Sequence, residues 1–250
     1  MTVSSKARVV ALWGDEHERL GDVATVSLEP CAAIALSRGR FPKAYDYVDP
    51  NEDAIMVAGG PTGWALAVAD GHNGFDAARA ALGAVALEAG ALLEAGVDDP
   101  AAAVAALFEL ARQAVALELD GLQPPRHLSR TALSIALAAE DQLCAASLGD
   151  TIVVHVRGRR LAEVGSAGPF LGPATPLPEP RSQELRPGDR VLVASDGLLD
   201  FVGATWADRL VAAGQAGDHL TAVRSLVMSA FAGGAGDNVA VGLLACEPVR

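Results

Sequence analysis

The sequence has few cysteines and few basic residues, and each shortage excludes some kinds of protein. Cys31, Cys144 and Cys246 lie far apart and form no CxxC or CxxH pair, which argues against a structural zinc site and against a disulfide framework. Only 19 Lys and Arg residues stand against 31 Asp and Glu residues, so the formal net charge is −12. The phosphates of nucleic acids and anionic membrane surfaces repel such an acidic chain. We therefore expect no nucleic acid and no membrane as partners.

The sequence also lacks a run of apolar residues long enough to span a membrane. The most apolar stretch, 75–97, is interrupted by Arg79, Glu88 and Glu94, which is typical of a packed helix. The first residues lack the long apolar region of a signal peptide. With 51% hydrophobic residues, the chain can bury a sizeable core. We expect a cytoplasmic protein with a single domain over 1–250.

Short apolar runs separated by turn residues predict an α+β fold. The expected strands cover 8–13, 23–36, 55–57, 64–69, 132–139, 142–147, 151–156, 190–195 and 239–245. The expected helices cover 75–95, 100–119, 198–201, 205–213 and 218–231, with Asp98 or Asp99 as a cap before Pro100. Tight turns between the strands after residue 131 favour antiparallel pairing. Segment 165–188 holds six of the 14 prolines and is expected to form an ordered loop or flap.

Aspartates stand at the ends of several predicted strands. Asp53 precedes an apolar run, and Asp237 precedes the last strand. Asp70 and Asp196 each follow an apolar run and begin an Asp-Gly pair. Any one of them taken alone is most simply a turn or capping residue. Several carboxylates that converge at strand ends would repel one another unless a cation lies between them, and oxygen ligands suit Mg²⁺ or Mn²⁺ better than zinc.

The order of the acidic motifs resembles that of the metal-dependent protein phosphatases of type 2C, the PPM family. The motifs are Asn51-Glu52-Asp53-Ala54, Asp70-Gly71-His72-Asn73-Gly74, Ser147-Leu148-Gly149-Asp150-Thr151, Ser195-Asp196-Gly197-Leu198-Leu199-Asp200 and Gly236-Asp237-Asn238-Val239. Together they extend over essentially the whole chain. The resemblance implies a β-sandwich of two antiparallel sheets flanked by helices, in α-β-β-α layers.

The resemblance also implies a centre of two Mn²⁺ or Mg²⁺ ions that hydrolyses phosphoserine or phosphothreonine with a water activated between them. Asp70 would bridge the two ions, and the Gly71 carbonyl would bind one of them. Asp196 and Asp237 would hold the other.

Further residues are assigned to the centre by the same resemblance. Glu52 and Asp53 would bind the ions directly or through water. Asp150 and Asp200 match positions that hold a third, weaker ion in some members. His72 matches the general acid that protonates the leaving alkoxide.

The sequence departs from the family pattern at two positions of the site. Val48 stands where the family has an arginine that binds the substrate phosphate, and valine offers neither charge nor hydrogen-bond donors. We expect Arg38, Arg40 or Lys43 to reach in from the preceding loop, and Asn238 also to bind the substrate. Asn73 replaces a glycine, and asparagine tolerates the left-handed conformation better than most residues.

The implied partner is a phosphorylated protein, the substrate of a Ser/Thr kinase. The bias towards Ala, Gly, Arg and Val, with few lysines, is typical of a bacterium of high genomic G+C content. The loss of the arginine leaves two alternatives open. One is a phosphatase-like regulatory protein that binds without efficient catalysis, and the other is a phosphatase for small phosphate esters. The complete set of aspartates together with His72 favours catalysis.

Overall fold

A computed structural model describes residues 6–165 and 168–246. The strands are β1 (Arg8–Trp13), β2 (Ala24–Leu28), β3 (Ala32–Ser37), β4 (Asp53–Gly60), β5 (Gly63–His72), β6 (Arg130–Ala139), β7 (Gln142–Leu148), β8 (Ile152–Arg157), β9 (Arg160–Glu163), β10 (Arg181–Glu184), β11 (Arg190–Ala194) and β12 (Val239–Ala245). The α-helices are α1 (Asp76–Ala95), α2 (Pro100–Leu119), α3 (Asp196–Val202), α4 (Trp206–Gly214) and α5 (His219–Ala232).

The strands form two six-stranded sheets. Sheet A has the order β1-β4-β5-β6-β7-β10, and sheet B has the order β2-β3-β12-β11-β8-β9. Every paired strand runs antiparallel to its neighbour. The chain passes from one sheet to the other five times, after β1, β3, β7, β9 and β10.

Successive side chains of a strand point to opposite faces of its sheet, and this alternation builds the layers of the fold. In β4, Met56 packs with the side chains of α1 and α2, whereas its neighbours Ile55 and Val57 pack between the two sheets. The outer face of sheet B is covered by α3, α4 and α5. The α-β-β-α sandwich with antiparallel sheets is therefore confirmed. The helices in the described residues are all too short or too polar to span a bilayer.

Helix α2 begins where the sequence predicts. Asp99 is its N-cap, and the side chain accepts hydrogen bonds from the amides of Ala101 and Ala102. Pro100 occupies the first turn, where no amide donor is needed.

The structure differs from the predicted elements at several places. The single run 23–36 is two strands, because a turn at Glu29–Cys31 folds β3 back on β2. The short strands β9 and β10 were not predicted, since both are polar edge strands without hydrophobic alternation. Strand β10 lies inside the expected flap, and Leu171 forms an isolated bridge with Thr131. Residues 166–167 of the expected flap lie outside the described residues.

Strands β4 and β5 extend beyond their apolar runs. Asp53 is therefore the first residue of β4, and Asp70 and His72 are among the last residues of β5 and not in the turn that follows it. The ladder continues because β6 pairs with β5 as far as Arg130.

Candidate metal centre

The predicted acidic residues meet at one end of the sandwich, and both sheets contribute. Asp53 and Asp70 lie directly opposite each other on β4 and β5 of sheet A. Asp196 begins α3 directly after β11, and Asp237 precedes β12, so both belong to sheet B. The hydroxyl of Ser195 joins the two sheets: it donates to Asp53 Oδ2 at 2.7 Å and accepts from the amide of Ala240 at 2.9 Å.

Three carboxylates come close enough to share one cation. Asp70, Asp150 and Asp196 each offer an oxygen, and these oxygens lie within 4.8 Å of one another. Asp150 Oδ1 is buried and has no hydrogen-bond partner. A buried carboxylate oxygen without a donor is costly, so the arrangement fits a bound cation. The donor set, which is entirely oxygen, suits Mn²⁺ or Mg²⁺.

Burial and mutual repulsion raise the pKa values of these carboxyl groups. Burial, and then the charge of Asp53, hold the pKa of Asp70 well above its ordinary value. Burial and the charge of Asp150 raise the pKa of Asp196 to about 6. Burial raises the pKa of Asp53 to about 8, although the Ser195 hydrogen bond and the charge of Lys43 oppose the shift. A cation at this place would oppose all three shifts, because it favours the ionised form of each carboxyl group.

A buried lysine lies at the other side of the centre. Lys43 Nζ is 2.9 Å from Glu52 Oε2 and 3.2 Å from Asp237 Oδ1, and its side chain is 4% exposed. Burial alone would lower the pKa of Lys43, but the two carboxylates outweigh it and raise the pKa. Tyr45 donates to Asp237 Oδ2 at 2.6 Å. Two of the predicted metal ligands, Glu52 and Asp237, are thus bound to a lysine from the 38–52 loop.

The glycines of the two Asp-Gly pairs permit close backbone contacts and are not turn residues. A Cβ at Gly71 would lie 2.6 Å from the carbonyl oxygen of Glu52, and a Cβ at Gly197 would lie 1.9 Å from that of Asn238. Only glycine fits at either position. Asn73 has φ of 63°, which confirms the left-handed conformation expected there.

His72 lies next to the carboxylate cluster and is partly open to solvent. Its Nδ1 is 3.8 Å from Asp70 Oδ1, and the side chain is 31% exposed. Nδ1 itself is buried and has no hydrogen-bond partner. The imidazole packs against the ring of Phe170, with 4.4 Å between the centroids. A proton can therefore leave from, or return to, the exposed part of the ring.

The remaining predicted site residues lie farther from the cluster or are bound elsewhere. Asp200 lies one turn after Asp196 in α3 and is exposed. Arg40 donates from Nη1 to the carbonyl of Phe231 at 3.2 Å. Asn238 is 2% exposed. Its amide donates to two backbone carbonyls and accepts from the amide of Glu52, so Asn238 holds the 38–52 loop against β12.

Several residues that shape the centre were not predicted from the sequence. Ser195, Tyr45 and Phe170 had no predicted role, and Asp150, which the resemblance assigns to a third, weaker ion, lies beside Asp70 and Asp196. Tyr45 and Phe170 lie in loops, where no periodic pattern shows which side chains return to the site. Ser195 precedes the Asp-Gly pair, and its place at the end of a buried strand was the one available signal.

A family model described as protein phosphatase 2C matches residues 44–223. The structure is similar to the catalytic domain of the serine/threonine protein phosphatase PstP in complex with two manganese ions, with 23% identity, 91% of this chain and 100% of that chain covered, and a TM-score of 0.72.

Two further solved structures show the same fold. The Mycobacterium tuberculosis serine/threonine phosphatase PstP/Ppp has 23% identity, with 90% of this chain and 99% of that chain covered and a TM-score of 0.67. The S. agalactiae serine/threonine phosphatase has 16% identity, with 97% and 99% covered and a TM-score of 0.64. A search of curated protein sequences finds no significant match.

Proposed function

Since the chain belongs to the protein phosphatase 2C family and is a metal-dependent serine/threonine protein phosphatase, we propose that its metal centre is the cluster around Asp70, Asp150 and Asp196. The convergence of these three carboxylates within 4.8 Å carries the proposal. Bound Mn²⁺ or Mg²⁺ would lower the pKa of a water for attack on phosphorus and neutralise charge on the phosphoryl oxygens. Two ions are proposed.

The residues of the chain have distinct tasks around these ions. Asp70 and Asp196 supply oxygens from the two different sheets, and Asp53 lies opposite Asp70 with its Oδ2 fixed by Ser195. The Gly71 carbonyl is proposed as a further ligand. Glu52 and Asp237 become available to the second ion if Lys43 moves from between them.

His72 is proposed to protonate the leaving oxygen of the substrate. The alkoxide of serine or threonine is a strong base and leaves poorly without a proton. The imidazole is next to Asp70 and partly exposed, so it can hold a proton close to the ester oxygen and regain it from solvent. Phe170 restricts the ring to one side of the site.

The proposed substrate is a phosphorylated protein that a Ser/Thr kinase of a bacterial cell has modified. His72 is partly exposed at the end of the sandwich. This position supports the proposal that a phosphorylated segment of a protein, as well as a small ester, can reach the metal centre.

The test is hydrolysis of a phosphothreonine peptide and of para-nitrophenyl phosphate, with Mn²⁺ and with EDTA. We expect turnover only with Mn²⁺. Asp70→Asn and Asp196→Asn should each abolish turnover and weaken Mn²⁺ binding in calorimetry, whereas the exposed Asp208→Asn should change neither. Near-normal Mn²⁺ affinity in both site variants would contradict the assigned centre.

The role of His72 is tested with leaving groups of different basicity. His72→Gln should lower kcat on the phosphothreonine peptide by roughly 100-fold, in the range of general acid catalysis. The loss on para-nitrophenyl phosphate should be much smaller, because nitrophenolate leaves without a proton. Equal losses on both substrates would mean that His72 acts in another way.

A further inference from the structure

The basic side chains around the centre are bound by other protein groups, with one exception. Lys43 is held by two carboxylates, and so is Arg126. Arg40 donates to a backbone carbonyl. The guanidinium of Arg130 makes no ion pair and no hydrogen bond with the residues that the structure describes, and the side chain is exposed.

Arg130 stands next to His72 across the sheet. The two residues are directly opposite each other in the ladder of β5 and β6. Opposite residues of an antiparallel pair project from the same face, with their Cβ atoms about 5 Å apart. Asp70 is two residues before His72 on β5 and therefore lies on this face as well. The sheet thus places a cation beside the histidine and the carboxylate cluster.

An aromatic ring fixes the guanidinium of Arg130 at this place. Its central carbon lies 4.7 Å from the centroid of Phe170, and the same ring contacts His72. Stacking restrains the side chain but leaves the N–H groups in the guanidinium plane free to donate. Phe170 therefore holds Arg130 and His72 as a pair, each with unused hydrogen-bonding capacity.

We propose that Arg130 binds the phosphate group of the substrate beside His72. This inference rests on the proposed function, because it takes a phosphate monoester as the ligand. A chain of net charge −12 repels a phosphate dianion, so the substrate needs donors close to the reaction site. The planar fork of a guanidinium matches two phosphate oxygens and also orients the ester. Arg130 is the basic group next to His72 that is free for this role.

The test measures the binding of inorganic phosphate to the Mn²⁺-loaded protein by calorimetry. We expect Arg130→Gln to weaken phosphate binding about 10-fold, the size of one charged hydrogen-bonded contact, and Arg130→Lys to weaken it less, since the charge remains. Arg159→Gln removes another exposed arginine, in the turn between β8 and β9, and should leave the affinity unchanged. The KM for para-nitrophenyl phosphate should rise in Arg130→Gln by a similar factor.

Two results would overturn the inference. One is a phosphate affinity in Arg130→Gln equal to that of the wild type. The other is a rise in KM confined to peptides with acidic residues beside the phosphothreonine, which would assign Arg130 to the peptide and not to the phosphate. Phosphate binding is measured without turnover. A wild type that binds phosphate through Arg130 but hydrolyses no ester would therefore contradict the proposed catalysis alone.

Discussion

At the scale of single residues, Lys43 occupies the position of a cation between two carboxylates. Removal of one partner from a buried ion pair leaves uncompensated charge, which costs about 3 kcal/mol. We expect Lys43→Met to lower the free energy of unfolding of the EDTA-treated protein by about that amount. Saturating Mn²⁺ should recover much of the loss, because the ion compensates Glu52 and Asp237. Urea denaturation with and without Mn²⁺ measures both values.

The control for Lys43 removes the same charge from the surface. Arg159→Met should change stability little under either condition, since an exposed cation contributes little. An equal loss in Lys43→Met with and without Mn²⁺ would show that Lys43 and the metal centre are independent.

The residues of the centre could be predicted only in part from the sequence. Asp53 and Asp70 stand beside apolar runs, so their positions at strand ends follow from local pattern. The contact of Lys43 with Asp237 joins residues far apart in the chain, and no local pattern reports it. Asp150 follows a strand of sheet A and meets Asp196 of sheet B, which depends on how the sheets pack.

At the scale of elements, the start of α3 and the start of β12 approach so closely that only glycine fits between them. A Cβ at Gly197 would lie 1.9 Å from the carbonyl of Asn238, so Gly197→Ala must push Asp196 away from its partners. We expect Mn²⁺ affinity to fall roughly 10-fold, as is typical when residues that support metal ligands change. Calorimetry measures the affinity.

Helix α1 offers a matched substitution without a clash. Gly83 has open space around its Cβ position, and alanine in a helix interior is favoured over glycine by about 0.5–1 kcal/mol. Gly83→Ala should stabilise the protein and leave Mn²⁺ affinity unchanged. A Gly197→Ala variant with the same affinity as Gly83→Ala would mean that the approach of α3 to β12 does not position Asp196.

Helices and strands with long apolar stretches could be predicted from the sequence, and short edge strands could not. The apolar stretches of α1 and β12 have the length and composition of their classes, and their bounds agree with the prediction to within a residue. Strands β9 and β10 are four residues long and mostly exposed. They are strands because they pair with a neighbouring strand, and their own side chains carry no pattern that predicts this.

At the scale of the whole molecule, the metal-free protein should become less stable as pH rises. The pKa values of Asp196, at about 6, and Asp53, at about 8, lie above the value of about 4 in an unfolded chain. Between these values the folded protein keeps protons that the unfolded chain has released, so the free energy of unfolding falls from about pH 4 to about pH 8. Denaturation of the EDTA-treated protein at several pH values measures the slope.

Two comparisons test the origin of this slope. Asp53→Asn should reduce the fall in the free energy of unfolding between about pH 6 and pH 8, because asparagine does not titrate. Saturating Mn²⁺ should abolish the fall, since the bound ion favours the ionised carboxylates. A metal-free protein whose stability rises with pH over this range would contradict the raised pKa values.

The layered architecture followed from the resemblance to a family more than from composition. Short strands with tight turns indicated antiparallel pairs and an α+β class, but many sheet arrangements satisfy that pattern. The division into two six-stranded sheets depends on five crossings between the sheets, after β1, β3, β7, β9 and β10, which no residue near those loops signals.

Because Asp70 belongs to one sheet and Asp196 to the other, an ion bound to both would act as a cross-link. The segment between these residues is about half of the chain, and an ion that binds only the folded arrangement of the two sheets stabilises that arrangement by mass action. Hydrogen exchange of backbone amides in the interiors of β5 and β11 should therefore slow together when Mn²⁺ binds, although neither interior touches the ion. The three cysteines form no disulfide. Reversible coordination of a metal ion would then link the two sheets of the sandwich.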